Sequence, residues 1–252
     1  MASFFFILTS CSYFQKTEKE ESFLRSKENS RKWQEGIAQL HFLGKELIRS
    51  PKQKISKIEG KAEEYLLKNF NQMKKGLPSF FTEKSSVPTF YIIKGEAPLL
   101  FSLKGGFFFF SSGVLKKYLN NEELFLAAYA AEIIREHHGI YLNKKIVPVG
   151  EIELERLLAM LRLPENERVK IWKWAYFVLK RAEKDGTAVL NWIQLQNKNS
   201  LEFIHMLGGK YNLSKEEFLF KNFLSKQKGF SFDQVVKEKD SREFYSFLKA
   251  VP

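Results

Sequence analysis

Apolar residues recur at Trp33, Ile37, Leu40, Leu43 and Leu47, at the three- and four-residue spacing that lines one side of a helix, and Pro51 closes that run. Ile58, Ala62, Tyr65, Leu66 and Phe70 predict a second helix from Ile55 to about Lys75, ended by Gly76-Leu77-Pro78. Between Thr89 and Ser111 the pattern changes. Phe90-Tyr91-Ile92-Ile93, Leu99-Leu100-Phe101 and Phe107-Phe108-Phe109-Phe110 are short continuous apolar runs separated by Gly95 and Gly105-Gly106, which predicts three strands. Asn120 followed by Glu123 has the form of a capping box for a helix through Glu136, in which Ala127, Ala128, Ala130 and Ala131 let a neighbour pack closely.

Beyond Gly150 the spacing is helical, over Glu151 to Leu161 and over Asn166 to about Gln196, with Pro164 between them. Trp172, Ala175, Tyr176, Leu179 and Ala182 form a stripe of the kind that faces a core. Ser214 with Glu217 is a second capping box ahead of Phe218, Phe220, Phe223 and Leu224. No repeat of solenoid length is visible. The expected class is α+β, mainly helical.

Of the 252 residues, 44% are hydrophobic and 28% charged, which suits a packed core, and 25 Phe against 4 Met point to an aromatic one. No apolar run reaches the ~18 residues of a spanning helix. The formal net charge is +12, and a basic balance invites a nucleic-acid reading. The lysines, however, are scattered among acidic residues, with short clusters at Lys52-Gln53-Lys54 and Lys116-Lys117. With no RNP, zinc-finger or helix-turn-helix signature, solvated basic faces are the preferred reading over a nucleic-acid partner. The same charge suits an anionic envelope surface. Serine-hydrolase and phosphate-loop chemistry lack their motifs: there is no G-x-S-x-G, and Lys104-Gly105-Gly106 runs into Phe.

The stretch from Pro98 to Glu136, PLLFSLKGGFFFFSSGVLKKYLNNEELFLAAYAAEIIRE, resembles the HtpX and CAAX prenyl protease family of HExxH zinc metallopeptidases. Members of that family read N-A-F-x-x-x-G-G, an apolar strand, G-L-L, and a helix with E-L-A-x-x-L-x-H-E-x-x-H. Phe101, Gly105, Gly106, Gly113, Leu115, Glu122, Ala127 and Glu132 fall where that pattern expects them, while Leu99 replaces the Asn. The resemblance implies a zincin-like core, with a small three-stranded sheet packed on an active-site-type helix, and a substrate cleft near Phe101, Gly105 and Gly106.

The ligands that the resemblance calls for are missing. In H-E-x-x-H, two His one turn apart bind zinc and the Glu polarises its water. With Glu132 as that Glu, the ligand positions hold Ala131, which has no donor atom, and Arg135, whose guanidinium repels a cation. The family's third ligand lies in an E-x-x-A-D-like helix. Matching on Asp185 of Arg181-Ala182-Glu183-Lys184-Asp185-Gly186 puts Arg181 there. Glu132 is then vestigial and no zinc or other cofactor is expected. His137 and His138 are adjacent, about 100° apart on a helix, and cannot chelate one ion as an i, i+4 pair does.

The single cysteine excludes an intramolecular disulfide and follows an apolar run, MASFFFILTS. Leu8-Thr9-Ser10-Cys11 fits the bacterial lipobox, in which the cysteine is acylated and becomes the mature N-terminus. Ser12, rather than Asp, favours the outer membrane. The expected organisation is a signal segment 1–11, a Lys-, Glu- and Ser-rich tether 12–32, a degenerate metallopeptidase-like domain 33–200, and a helical extension of that domain 201–252.

The leading functional expectation is an inactive metallopeptidase-like lipoprotein on the periplasmic face of the outer membrane, a binding or scaffold module for an envelope protein or a protease. Its cleft edge strand would accept an extended peptide. The alternatives are an active hydrolase with a relocated metal site built from Glu132, His137 or His138 and a carboxylate between Arg181 and Asp185, and a structural lipoprotein binding anionic envelope surfaces.

Overall fold

The computed structural model describes residues 31–76, 86–138, 153–207, 213–227 and 240–252. Cys11, the signal segment and the tether up to residue 30 lie outside the described residues. The architecture is α+β and mainly helical. It comprises α1 (Arg31–Arg49), β1 (Ile55–Lys57), α2 (Lys61–Gly76), β2 (Thr89–Ile93), β3 (Leu100–Leu103), β4 (Phe107–Ser111), a π-helical turn (Val114–Tyr118), α3 (Glu122–His138), α4 (Leu154–Leu161), α5 (Glu165–Arg181), α6 (Ala188–Lys198), α7 (Ile204–Leu207), α8 (Leu213–Leu224) and α9 (Arg242–Lys249). No described helix is long and apolar enough to cross a membrane.

The sheet has four strands in the order β1-β2-β4-β3, not the three expected. β4 runs parallel to β2 and antiparallel to β3. Every residue of β3 and β4 is buried, which explains why these strands read as continuous apolar runs: helices cover both faces of the sheet. Phe108 and Phe110 point to the α2–α3 side, where Phe108 meets Phe70 and Tyr129, and Phe110 meets Phe125. Phe107 and Phe109 point to the other side, where Phe107 lies 5.0 Å from His41 of α1 and Phe109 stacks at 4.9 Å on Phe101.

The added strand is Ile55–Lys57, which sequence periodicity assigns to a helix. It pairs antiparallel with β2, and α2 begins only after Gly60, whose φ is 64°. Three residues are too few for an alternating pattern to declare itself against helical spacing. The helix expected from Asn166 to Gln196 is likewise two helices. The chain turns at 182–187, where Glu183 has φ 58° and the Asp185 carboxylate accepts from the Thr187 N–H at 2.8 Å, an Asx-type turn.

Neither expected capping box forms as read. Asn121, not Asn120, caps α3, its Oδ1 accepting from the Leu124 N–H at 3.1 Å. Ser214 lies inside α8, and Glu217 instead accepts from Gln194 and Asn197 of α6. The starts of α3 and α9 exchange acidic caps. Asp240 accepts from the Glu122 N–H at 2.8 Å, while the Glu122 carboxylate accepts from the N–H and hydroxyl of Ser241 and from Tyr65. A carboxylate at each helix N-terminus complements the exposed N–H groups and the helix dipole.

At the end of β4 the chain passes very close to the 95–96 loop. The Gly113 N–H donates to Gly95 O at 2.8 Å, and a Cβ on Gly113 would stand 2.1 Å from Glu96 O. Gly113→Ala is therefore expected to lower stability by about 1–3 kcal/mol through backbone displacement. It is read from the denaturant midpoint at unchanged m value, and an unshifted midpoint would show that the loop yields freely.

Candidate functional site

The centre of α3 faces a cavity. Ala131, Glu132 and Arg135 line it from α3, Arg168 and Trp172 from α5, Trp192 and Gln196 from α6, and Leu100 from β3, around a space of ≈ 40 Å³. That is room for a few waters, not for a peptide backbone. The Ala-rich stretch of α3 serves close packing, with Ala127, Ala128, Ala130 and Ala131 all buried.

Three of its charged lining residues, Glu132, Arg135 and Arg168, are held in two ion pairs. Glu132 Oε2 accepts from the Ser102 hydroxyl at 2.9 Å, and Oε1 lies 3.2 Å from an Arg135 guanidinium nitrogen. Arg135 also donates to Leu161 O at 2.5 Å, tying α3 to the end of α4. Across the cavity the Arg168 guanidinium grips Glu216 of α8 in a fork, with Nε donating to Oε2 at 3.2 Å and a terminal nitrogen donating to Oε1. The side chain of Glu216 is 0% exposed. Planar guanidinium and carboxylate match bidentately.

Burial raises the pKa of Glu132, against the opposing pull of Arg135 and Ser102; burial likewise raises that of Glu216, against Arg168. The folded state thus holds the Glu132 proton more tightly than the unfolded chain. That stabilisation is fully present below the unfolded value near 4.5 and is lost as pH rises through the folded value. Relative to Glu132→Gln, the wild type is expected to lose stability as pH rises above about 4.5. Paired denaturation curves across pH check this, since Glu216 is common to both proteins. A pH-independent difference would mean that Glu132 ionises alike folded and unfolded.

Of the positions that the resemblance assigns, Ala131 and Arg135 share the cavity with Glu132 and Arg181 does not. Arg181 is exposed at the far end of α5, roughly 20 Å along the helix from Arg168 at 1.5 Å per residue. Arg168, together with Ile171 and Trp172, lines the cavity from α5. A charge on the same stripe as Trp172, Ala175 and Leu179 was its sequence signal. Ser102, Gln196 and Glu216, each buried, come from separate elements and have no shared sequence pattern.

The three cleft candidates lie in β3 and in the turn that follows it. Phe101 is 1% exposed and points to the α1 side of the sheet, away from Glu132. Gly105 and Gly106, at φ 104° and 86°, make the β3–β4 turn, and both their N–H groups donate to Glu136 Oε1 at 3.1 Å. Only glycine adopts such successive left-handed conformations readily. The Leu100 N–H meets Met206 Sδ at 3.1 Å. With all of β3 buried, an extended peptide cannot pair there without displacing its cover.

The residues do not fit zinc. Ala131 offers no donor atom, Arg135 and Arg168 bring positive charge, and among the described residues no three of His, Cys, Asp and Glu are grouped to hold a metal ion. His137 is buried on the last turn of α3, where its carbonyl accepts from Lys104 Nζ at 2.6 Å. A larger depression of ≈ 390 Å³ lies between Lys52, Leu99, Glu153, Leu158 and His205 and shares no lining residue with the Glu132 cavity. No protein-family model matches this chain, and a search of curated proteins finds no significant match.

Proposed function

We propose that this chain is a catalytically inactive, metallopeptidase-like binding or scaffold module held at a bacterial envelope membrane through Cys11. The observation that carries the inactive part is the pairing of Glu132 with Arg135 and of Arg168 with Glu216 in one cavity of ≈ 40 Å³. In a hydrolytic zinc centre this space has to hold a metal, a water and a scissile bond. Here cations of the chain itself occupy two of the cavity's polar positions.

Arg168 of α5 lines the cavity together with Glu132, whereas Arg181, the position that the match on Asp185 gives, does not. Ala131, Arg135 and Arg168, which line the cavity around Glu132, are all non-ligands. The relocated-site alternative is weaker. Glu183 and Asp185 lie in the turn after α5, at the end of that helix away from Arg168. Partner capture falls to surfaces other than the covered β3 edge, and the partner would be an envelope protein or protease.

Metal analysis and grafting test this reading. Wild-type protein is expected to carry no stoichiometric zinc and to leave unfolded protein substrates intact. The combination Ala131→His, Arg135→His and Arg168→Glu, with Glu216→Gln to avoid facing carboxylates, is expected to gain about one tightly held zinc. One zinc per wild-type chain would overturn the inactive reading, and a folded graft that binds none would remove the site from α3 and α5. In a bacterial host, Cys11→Ala is expected to abolish acyl labelling. Wild type with an unmodified Met1 in the soluble fraction would sink the anchored reading.

A further inference from the structure

We infer that the outer face of α5 is a docking surface for an anionic lipid bilayer, acting independently of any acylation at Cys11. Lys170, Lys173, Trp174, Phe177, Lys180 and Arg181 recur at three- and four-residue spacing on the side of α5 opposite the buried Ile171, Trp172, Ala175 and Leu179. Glu167 is the carboxylate on that outer side, and it pairs with Lys170 at 3.3 Å. Lys180 and Arg181 are exposed, and Lys173 lies over the Phe223 ring at 5.5 Å.

The aromatic residues choose between lipid and nucleic acid. Trp174 and Phe177 are half-buried and packed edge-on, Trp174 at 66° to Phe177 and Phe177 at 81° to Phe223. A stacked base needs an open ring face, and both rings are already engaged edge-to-face with neighbouring rings. A bilayer interface takes partly exposed amphipathic rings at headgroup depth, while lysine stems lie along apolar surface and place their charges at the phosphates. The excess positive charge, +12 for the chain, complements an anionic surface, and the α5 stripe gives that charge a defined place.

The test uses the full chain as Cys11→Ser, so that no acyl group contributes. Its co-sedimentation with vesicles of phosphatidylcholine alone is compared with vesicles that also contain phosphatidylglycerol, at low and high salt. Binding is expected only to the anionic vesicles and should fall with salt. Lys170→Gln, Lys173→Gln, Lys180→Gln and Arg181→Gln together are expected to weaken partitioning at least ~10-fold, since each cation near the surface contributes on the order of one kcal/mol before screening. The control carries Lys61→Gln, Lys68→Gln, Lys75→Gln and Lys94→Gln, the same charge change elsewhere, and should bind as before.

Equal weakening in the control would reduce the effect to net charge and overturn the assignment, as would no binding to anionic vesicles. Tighter binding to single-stranded DNA or RNA than to anionic vesicles, lost in the α5 variant, would overturn it in favour of nucleic acid. Because acylation is removed, failure here leaves the Cys11 reading standing, and failure of the Cys11 reading leaves this one standing.

Discussion

Arg168→Ala is expected to destabilise the protein by about 3–5 kcal/mol, because it strands the Glu216 carboxylate, fully buried, without its counter-charge. The cost is the penalty of an unpaired buried charge, not the net value of the pair. Replacing both partners, Arg168→Met with Glu216→Leu, is therefore expected to recover most of the loss, since a buried pair exchanged for apolar side chains of similar volume is often neutral. A double-mutant cycle in chemical denaturation measures this. If Arg168→Ala alone costs under about 1 kcal/mol, solvent reaches Glu216 and its full burial against Arg168 is wrong. The same result would weaken the argument for inactivity, which depends on the Glu132 cavity being filled.

Phe125→Ala should cost about 3–5 kcal/mol and release the C-terminal helix before the rest of the fold. Phe125 is fully buried at the junction of three layers, with ring centroids 5.9 Å from Phe110 of β4, 5.7 Å from Tyr129 and 5.1 Å from Phe247 of α9. Tyr65 of α2 stacks on Phe247 at 5.5 Å, so α9 is held by rings from α2 and α3 together. Removing the central ring loses transfer energy, leaves a cavity and breaks several aromatic pairs worth about 0.5–1.5 kcal/mol each. Hydrogen exchange should show protection of α9 falling first. Phe218→Ala, at an exposed ring, is the contrast and should stay within about 0.5 kcal/mol. Equal effects at the two sites would mean that Phe125 is not part of a close-packed core.

The elements with strong local signals were legible from the chain alone. Spacing placed α1 and most of α2, the Phe-rich runs placed β2, β3 and β4, and the Gly105-Gly106 turn announced itself by composition. These features depend on neighbours a few residues away. An apolar stripe must face a core, and consecutive glycines permit backbone angles that other residues resist.

Tertiary structure decided the rest. Ile55–Lys57 becomes a strand only because β2 is there to pair with it. The Phe101 ring faces α1, not the cavity, because strand alternation and the β4 register send Ser102 and Leu100 to the α3 side instead. The sequence showed by itself that Ala131 and Arg135 cannot hold a metal, since donor chemistry is a property of the residue. It did not show that Arg168, and not Arg181, lines the cavity with Glu132, or that Glu216 neutralises Arg168 from 48 positions along the chain. Burial makes such a charge costly unless an opposite one is brought against it, and only the packing of α8 on α5 supplies that partner.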